Sequence, residues 1–323
     1  MSVKSQVVTF LEENRGEFIS GGKISKALSV SRNAVWKVIK ALEIEGYPIS
    51  AVKNRGYCLS EKSDILSEES IKPFLKTEIL GGDISVFKAV DSTNNSAKIA
   101  AQNGAKEGAV VLSESQSAGK GRLGRNFFSP VGTGIFMSIV LRPKFSAENA
   151  TLITSCAAVA VARAIENLTG LDVKIKWVND IFIGGKKVCG ILTEAGVNFE
   201  GGTLDYAVLG IGINVLTAEF PEELRDVATS ILLENGAPIS RSRLAAEILN
   251  VFEPLYINLL DKKFMEEYVS RSNLIGKELT VFCGESSYKA VAIGIDGDAR
   301  LIVRNNGGEE IALSSGEVSV RPL

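Results

Sequence analysis

The sequence predicts an α+β protein in three successive parts, and three observations carry that reading. Residues 1–62 show helical periodicity and close on a hairpin. The middle of the chain mixes strand-like and helix-like runs, and residues 272–323 are short strands cut by glycine turns. Charge is partitioned along the same line. Residues 1–62 hold ten Lys/Arg against six Asp/Glu, whereas the rest of the 323-residue chain holds 26 against 32. A basic module on an acidic body points to a nucleic-acid partner for the module alone.

In that module Val3, Val7, Phe10 and Leu11 share a helical face, and Gly16 stops the helix. Ser20 caps a short second helix carrying Ile24, Ala27 and Leu28. Ser31 caps a third, where Val35, Val38, Ile39 and Leu42 form the apolar stripe. Ile49 to Val52 and Tyr57 to Leu59 then read as a hairpin around Lys53-Asn54-Arg55-Gly56. This is the order of a winged helix-turn-helix. Its third helix turns Arg32, Asn33, Lys37 and Lys40 away from the stripe, with Ser31 at its start and Trp36 at the border of that face. Such side chains reach bases and phosphates in a major groove, and Lys53 and Arg55 sit where a wing touches the backbone. A helical docking domain with a solvated basic face is the plainer alternative.

Residues 61–66 read as a linker. The middle part predicts a short helix at 67–76, a strand at 84–90 and a helix at 92–103. Strands at 108–114 and 133–141 precede a long helix at 147–168. Strands at 173–183, 187–194 and 204–215 and three further helices complete it. Consecutive strands with short glycine-containing turns favour a mixed or antiparallel sheet with helices on one side. The last part is a small β-barrel, with turns at Gly284-Glu285, Asp296-Gly297 and Asn306-Gly307. The partition expected is 1–62, 63–271 and 272–323.

Composition excludes several chemistries. The chain has no histidine, which removes Ser-His-Asp triads, Cys-His pairs and H-E-x-x-H zinc sites. Its four cysteines, Cys58, Cys156, Cys189 and Cys283, lie far apart and read as scattered buried thiols. Catalysis must then use Lys, Arg, Asp, Glu, backbone donors or a metal, which favours electrostatic stabilisation of phosphoryl or nucleotidyl transfer. The N-terminus has no apolar signal region, and the nearly apolar run Cys156–Ala162 is too short to span a bilayer, so a cytoplasmic protein is expected.

The segment Gln116-Ser117-Ala118-Gly119-Lys120-Gly121-Arg122-Leu123-Gly124-Arg125 sets three glycines among three cations after a strand-like run. It is suited to hold an anion. Gly119-x-Gly121-x-x-Gly124 matches the dinucleotide fingerprint in letters only. Asn126-Phe127-Phe128-Ser129-Pro130 follows where a helix should start. Three other clusters carry polar chemistry. Asp91-Ser92-Thr93-Asn94 either caps a helix or binds a polar ligand. Lys176-Trp177-Val178-Asn179-Asp180 ends a strand with an amide and a carboxylate, a Mg²⁺ or nucleotide site or a plain turn. In Lys186-Lys187-Val188-Cys189-Gly190-Ile191-Leu192-Thr193-Glu194, strand alternation puts Lys187 on the face of Cys189 and Ile191, where it needs an anionic partner, and leaves Lys186 solvated.

Taken together, these motifs resemble the biotin protein ligases in order and spacing. The matching pieces are Ser92-Thr93-Asn94, the glycine-arginine loop through Arg125-x-Phe127-x-Ser129-Pro130, the Lys176–Asp180 and Lys187–Glu194 clusters, and Gly210-x-Gly212-Ile213-Asn214. The resemblance covers the whole chain, and with the winged helix it is to the bifunctional ligases that also repress the biotin operon. It implies a biotin/lipoate ligase-like central domain and an SH3-like terminal barrel. Biotin and ATP, with Mg²⁺, would form biotinyl-5'-AMP, and biotin would pass to a lysine of a biotin carboxyl carrier protein. Operator DNA and a homodimer promoted by the adenylate are implied partners. By resemblance, Ser92, Thr93, Asn94, Gln116, Gly119, Lys120, Gly121, Arg122, Lys187, Gly190 and Asn214 line the biotin and adenylate pocket. Arg125, Trp177, Asn179 and Arg321 lie toward the nucleotide and pyrophosphate. Lys187, Arg122 and Asp180 act in catalysis, Asp180 also on the metal side. The family's loop usually has arginine at Lys120 and proline at Val178; the first change keeps charge but loses a fork, the second loses a φ constraint. Two rivals remain: a ligase for another acid such as lipoate, and a non-catalytic biotin-responsive repressor.

Overall fold

The structure is a computed structural model. It describes residues 2–146, 149–198, 203–283, 286–314 and 318–322, with backbone only at 197–198, 203 and 318–322. Two compact units form, one from residues 1–76 with 240–247, the other from 77–239 with 248–323.

The first unit begins α1 (Val3–Glu13), α2 (Gly21–Ala27), α3 (Arg32–Ile44), β1 (Ile49–Val52) and β2 (Gly56–Leu59), followed by the single-turn α4 (Glu68–Ile71). The two expected serine caps are present: Ser20 Oγ accepts from Lys23 N and Ser31 Oγ from Ala34 N, each at 3.1 Å. Val7, Leu11, Ile24, Val35, Ile39, Leu42 and Leu59 pack into one core, so the apolar stripes of three helices and one hairpin face are satisfied together. The hairpin pairs Ile49 with Leu59 through Val52 with Gly56. Gly56 has φ +103°, and a Cβ there would lie 2.1 Å from the Ile19 carbonyl oxygen. Only glycine permits the Ile19–Tyr57 bridge that ties the wing to the start of α2.

Residues 240–247 join this unit through one buried arginine. Arg241, 3% exposed, donates its backbone N–H to Asp64 Oδ1 (2.8 Å), its Nε to Asp64 Oδ2 and its Nη2 to the Asp64 carbonyl (2.8 Å). Ser70 and Ser242 hydroxyls meet at 2.7 Å beside it.

The second unit is built on a seven-stranded sheet. Its elements are β3 (Ile84–Phe87), α5 (Thr93–Gln102), β4 (Val110–Ser113), β5 (Gly134–Leu141), α6 (Ala150–Thr169), β6 (Lys174–Lys176), β7 (Asp180–Ile183), β8 (Lys186–Asn198) and β9 (Thr203–Asn214). The helices α7 (Ile231–Asn235), α8 (Arg241–Ile257, of which 248–257 belong to this unit) and α9 (Met265–Ser270) follow. Strand order is β3-β4-β5-β9-β8-β7-β6, parallel only between β3 and β4. The expected single strand over 173–183 is two strands, with Trp177-Val178-Asn179 as the turn between them, and the Trp177–Val178 peptide is cis.

Helices cover both faces of this sheet, where one was expected. Ala97 and Ala101 of α5 pack on Val111, Val140 and Val208. On the opposite face α6 buries every residue from Leu152 to Ala162, and Thr154 meets Thr193 at 2.7 Å. Sequence order alone hid this, because α5 and α6 follow strands of the same sheet and the crossover side is decided by packing. Helix α6 is long and apolar enough to cross a bilayer by length and composition, but it is the core helix of the sheet. Cys58, Cys156 and Cys189 are buried free thiols, and Cys283 is half-buried.

The remaining strands, β10 (Glu278–Cys283), β11 (Ser286–Ile295), β12 (Leu301–Asn305), β13 (Glu310–Leu313) and β14 (Val318–Pro322), form a five-stranded antiparallel sheet ordered β13-β12-β11-β10-β14. Leu279, Val281, Ala292, Leu301 and Val303 make its core. It is the small β domain expected, and the expected turn at Gly284-Glu285 lies outside the described residues.

Arg241→Met keeps the backbone hydrogen bond to Asp64 but removes the Nε and Nη2 bonds and leaves Asp64 without its cation. The expected cost is about 2–3 kcal/mol, read as a lower urea midpoint for the first unit.

Candidate functional site

The sheet face under α5 carries the site, and strand register decides which residues are there. Phe136 on β5 stands opposite Gly212 on β9, which stands opposite Gly190 on β8, which stands opposite Asp180 on β7. The next row is Ser138, Gly210 and Leu192. Three glycines in two adjacent rows leave a trough where a sheet would normally carry side chains. A Cβ on Gly210 would lie 2.1 Å from Asn94 Oδ1, and one on Gly212 would lie 2.8 Å from the Phe127 ring.

One end of the trough is polar and neutral. Gln116 Oε1 accepts the Thr93 backbone N–H at 2.8 Å, and Gln116 Nε2 donates to Ser129 Oγ at 3.0 Å. The Ser138 hydroxyl lies 2.8 Å from Thr93 Oγ1 and 2.7 Å from Asn94 Oδ1. Ser92 is the residue before α5 but makes no side-chain cap, while Asp91 Oδ1 accepts the Ser92 N–H at 2.6 Å. The first N–H of α5, that of Thr93, goes to Gln116 instead of a local cap, and Thr93 and Asn94 turn to the trough. Hydrogen bonds from Asn95 and Ser92 hold the Asp91 carboxyl below the usual carboxylate range.

The other end is charged. Lys187 Nζ donates to Asp180 Oδ1 at 2.6 Å. Strand alternation placed Lys187 with Cys189 and Ile191, which face α6. The structure corrects this: a register irregularity pairs Ile181 with Cys189 but Phe182 with Lys187, leaving Val188 as the extra residue. This bulge turns Lys187 to the side of Gly190 and Asp180. Lys186, expected in solvent, donates to the Arg225 carbonyl at 3.0 Å. Arg122 Nη1 donates to Asn179 Oδ1 at 3.2 Å, and Asn179 Nδ2 donates to the Ile191 carbonyl at 2.8 Å. Burial lowers the Arg122 pKa from its ordinary value, with the charge of Asp180 opposing. A guanidinium remains a cation throughout the working pH range, so its charge is half-desolvated and correspondingly stronger.

The glycine-arginine loop arches above. Gly121 N donates to the Arg125 carbonyl (2.7 Å) and Phe127 N to the Gly119 carbonyl (2.8 Å), so the loop closes on itself. Lys120 reaches sideways to Asn95 Oδ1 at 2.5 Å. Tyr268, fully buried on α9, donates its hydroxyl to the Val178 carbonyl at 2.9 Å and so holds the turn that carries Asn179 and Asp180. Burial pushes the Tyr268 phenol up, which keeps it a neutral donor. Trp177 is buried, and its Nε1 donates to the Ala299 carbonyl of the small β domain at 2.8 Å.

Of the residues singled out by sequence, the structure brings Ser92, Thr93, Asn94, Gln116, Lys120, Gly121, Arg122, Arg125, Trp177, Asn179, Asp180, Lys187 and Gly190 around this cleft. Gly119 packs instead under Phe127 and Ser129, and Asn214 donates to the Thr229 carbonyl at 3.1 Å beyond the end of the trough. Arg321 is in β14, and its side chain lies outside the described ones. Phe127, Phe136, Ser138 and Leu192 were not foreseen as site residues. Only strand register places the last three; the alternation of Gly210 and Gly212 was the one local signal. Among the described residues no three His, Cys, Asp or Glu gather to hold a metal.

In the first unit Ser31, Arg32, Asn33, Trp36, Lys37 and Lys40 are all exposed along α3, Trp36 at 49%. Lys53 is exposed at the wing tip, and the Arg55 guanidinium lies 4.2 Å from the Phe18 ring centroid.

A winged helix followed by a glycine-floored trough under a basic loop defines a protein of the ligase class that joins small acids to proteins. The profile of the Biotin/lipoate A/B protein ligase family matches residues 86–214, and that of an HTH domain matches residues 3–58. The chain is 38% identical over 312 residues to the Bifunctional ligase/repressor BirA of Bacillus subtilis (strain 168), covering 95% of each chain. It is 29% identical over 314 residues to the protein of the same name from Escherichia coli (strain K12), covering 94% of this chain and 95% of that one. The biotin protein ligase from Aquifex aeolicus, solved in complex with biotin and ATP, superposes with a TM-score of 0.65 at 27% identity over 75% of this chain and all of that one. The chain belongs to the bifunctional ligase/repressor family of biotin protein ligases.

Tyr268→Phe leaves the buried Val178 carbonyl without its donor. The expected loss is about 1 kcal/mol of stability, measurable as a lower urea midpoint for the second unit.

Proposed function

We propose that the protein is an ATP-dependent biotin protein ligase and a biotin-responsive repressor. The observation that carries the ligase reading is the trough itself: a neutral polar end shaped by Thr93, Asn94 and Gln116, and an end bearing Arg122 and Lys187 about a single carboxylate. A small acid with a polar head fits that polarity, its carboxylate toward the cations.

The reaction proceeds in two steps. The biotin carboxylate oxygen attacks the α-phosphorus of ATP, the bond to the bridging oxygen breaks, and pyrophosphate leaves. The amine of a carrier-protein lysine then attacks the carbonyl carbon of biotinyl-5'-AMP, loses a proton, and AMP departs. Both steps bring negative charge together, so preorganised cations in a poorly hydrated cleft lower the barrier. Arg122 holds the phosphate and retains the anhydride, and Lys187 stabilises the carboxylate and the charge developing on it. Arg125, Trp177 and Asn179, and by family resemblance Arg321, would serve the nucleotide side. Mg²⁺ would accompany the triphosphate and neutralise part of its charge. Mg²⁺ needs only one or two carboxylates when phosphates and water complete its shell, and the cleft supplies one, Asp180, which would share its oxygens between the ion and Lys187.

The exposed face of α3 and the wing are the DNA surface of the repressor, with Arg32, Asn33, Trp36, Lys37 and Lys40 toward bases and phosphates and Lys53 and Arg55 toward the backbone. A homodimer promoted by the adenylate would present two such modules to a two-fold operator. The partner in ligation is a biotin carboxyl carrier protein, and the setting is the cytoplasm.

Pyrophosphate release from ATP should occur with biotin and not with lipoate or octanoate; release with lipoate alone would favour the rival ligase. Arg122→Gly should release biotinyl-5'-AMP early and label bystander lysines at least about tenfold more, a retention loss near 1.4 kcal/mol. Unchanged carrier specificity in that variant would contradict the role given to Arg122.

A further inference from the structure

Behind the polar end of the trough lies an ion pair that takes no part in the chemistry above. Lys98 on α5 donates to Glu194 Oε1 on β8, and the two side chains are 29% and 26% exposed. The second carboxylate oxygen, Glu194 Oε2, accepts from Asn94 Nδ2 at 2.8 Å. The Leu192 carbonyl, 3.4 Å from the same nitrogen, faces it as a second acceptor. A carboxylate and a carbonyl can only accept, so the Asn94 amide has one permitted orientation: nitrogen toward β8, oxygen toward Ser138.

That choice propagates. Asn94 Oδ1 can only accept, so the Ser138 hydroxyl, 2.7 Å away, donates its single proton there. That proton is then not available to the other acceptor Ser138 Oγ approaches, Thr93 Oγ1 at 2.8 Å. The Thr93 hydroxyl gives its own proton to Gln116 Oε1 at 3.2 Å, beside the Thr93 N–H at 2.8 Å. The wall of the trough therefore offers one oxygen with a lone pair to spare, Thr93 Oγ1, because Gln116 Oε1 already accepts twice. Buried chains of this kind are cooperative, and reversing one member disturbs all of them.

We propose that Glu194 and Lys98 are positioning residues that set the direction of this hydrogen-bond chain, so that the polar end of the trough presents Thr93 Oγ1 as an acceptor to an N–H group on the head of the acid substrate. The inference rests on the reading of the cleft as a biotin-adenylating site and adds two residues that do not touch the substrate. Burial works to raise the Glu194 carboxyl, but hydrogen bonds from Lys98 and Asn94 and the Lys98 charge outweigh it and hold the pKa below its ordinary value. Glu194 is thus an acceptor at every working pH. Lys98 keeps that charge from standing uncompensated in a half-buried place.

The test uses the full-length protein, with biotin binding measured by calorimetry without ATP and pyrophosphate release measured with biotin and ATP varied separately. Glu194→Gln can present a donor or an acceptor and no longer forces the Asn94 amide. Its affinity for biotin should fall about tenfold or more, as for a buried hydrogen bond left mismatched. The KM for ATP should stay within about twofold, because the phosphate end is untouched. The double variant Lys98→Glu/Glu194→Lys restores an ion pair but sets a donor against Asn94 Nδ2, so biotin affinity should remain low. Recovery of wild-type affinity in the charge swap would mean the pair is a plain strut, and the proposal would be wrong. An equal rise in both KM values for Glu194→Gln would also overturn it, and that milder variant decides the matter if the swap does not fold. A wild-type protein that neither binds biotin nor releases pyrophosphate with it would overturn the functional reading as well, whereas failure of the variants alone overturns only this inference.

Discussion

The depth of the cleft is set by residues that lack side chains, Gly190 on β8 and Gly210 and Gly212 on β9, and the rest of the site is arranged around the space they leave. A methyl group on Gly210 would collide with Asn94, and one on Gly212 would collide with Phe127. The antiparallel pairing of β8 with β9 is therefore more than structural support, because a one-residue slip would turn every glycine to the α6 side and bring Ile191, Ile211 and Ile213 into the trough. The long β8–β9 pairing and the core helix α6, buried against it, hold that register.

Charge is distributed with similar economy. A protein without histidine has no side chain that titrates near neutrality to shuttle protons. Its site relies instead on a guanidinium and an ammonium group set against amide and carboxylate oxygens. Arg122 and Lys187 are both tied to partners within the cleft, Asn179 and Asp180 respectively. Such ties fix the cations in place, so less reorganisation is needed when a carboxylate and phosphates take over as partners. Trp177, bonded to Ala299, and Tyr268, bonded to Val178, brace the same turn from two directions.

Much of this was legible from residue order. The winged helix followed from apolar periodicity, two serine caps and a glycine at the wing, all local properties. The charged and amide groups around the cleft were recognisable as motifs because their chemistry is scarce and their spacing tight. Lys187 shows where such reading stops. Alternation assigned it to the wrong face, since a β-bulge inserts one residue without leaving a mark in composition. Asp91 to Asn94 left capping and ligand binding both open; in the structure Ser92 makes no side-chain cap, and Thr93 and Asn94 bond to Gln116, Ser138 and Glu194. The Lys176–Asp180 segment read as a ligand site at a strand end or as a plain turn; its middle, Trp177-Val178-Asn179, is a turn, braced by the distant Tyr268 hydroxyl and by the bond of Trp177 to Ala299.

By itself the sequence determined the classes of element, the chemistry excluded by the missing histidines, the basic character of the first module and the groups able to handle an anion. These depend on side-chain type and on neighbours within one or two turns. Tertiary structure alone decided that helices cover both faces of the sheet, that Phe136, Ser138 and Leu192 belong to the site, and that Asn94 answers to Glu194 one hundred residues away. The reason is that faces of a sheet are fixed by cross-strand register and packing, which couple residues far apart in the chain. Local propensity is nearly indifferent to which partner a strand finds.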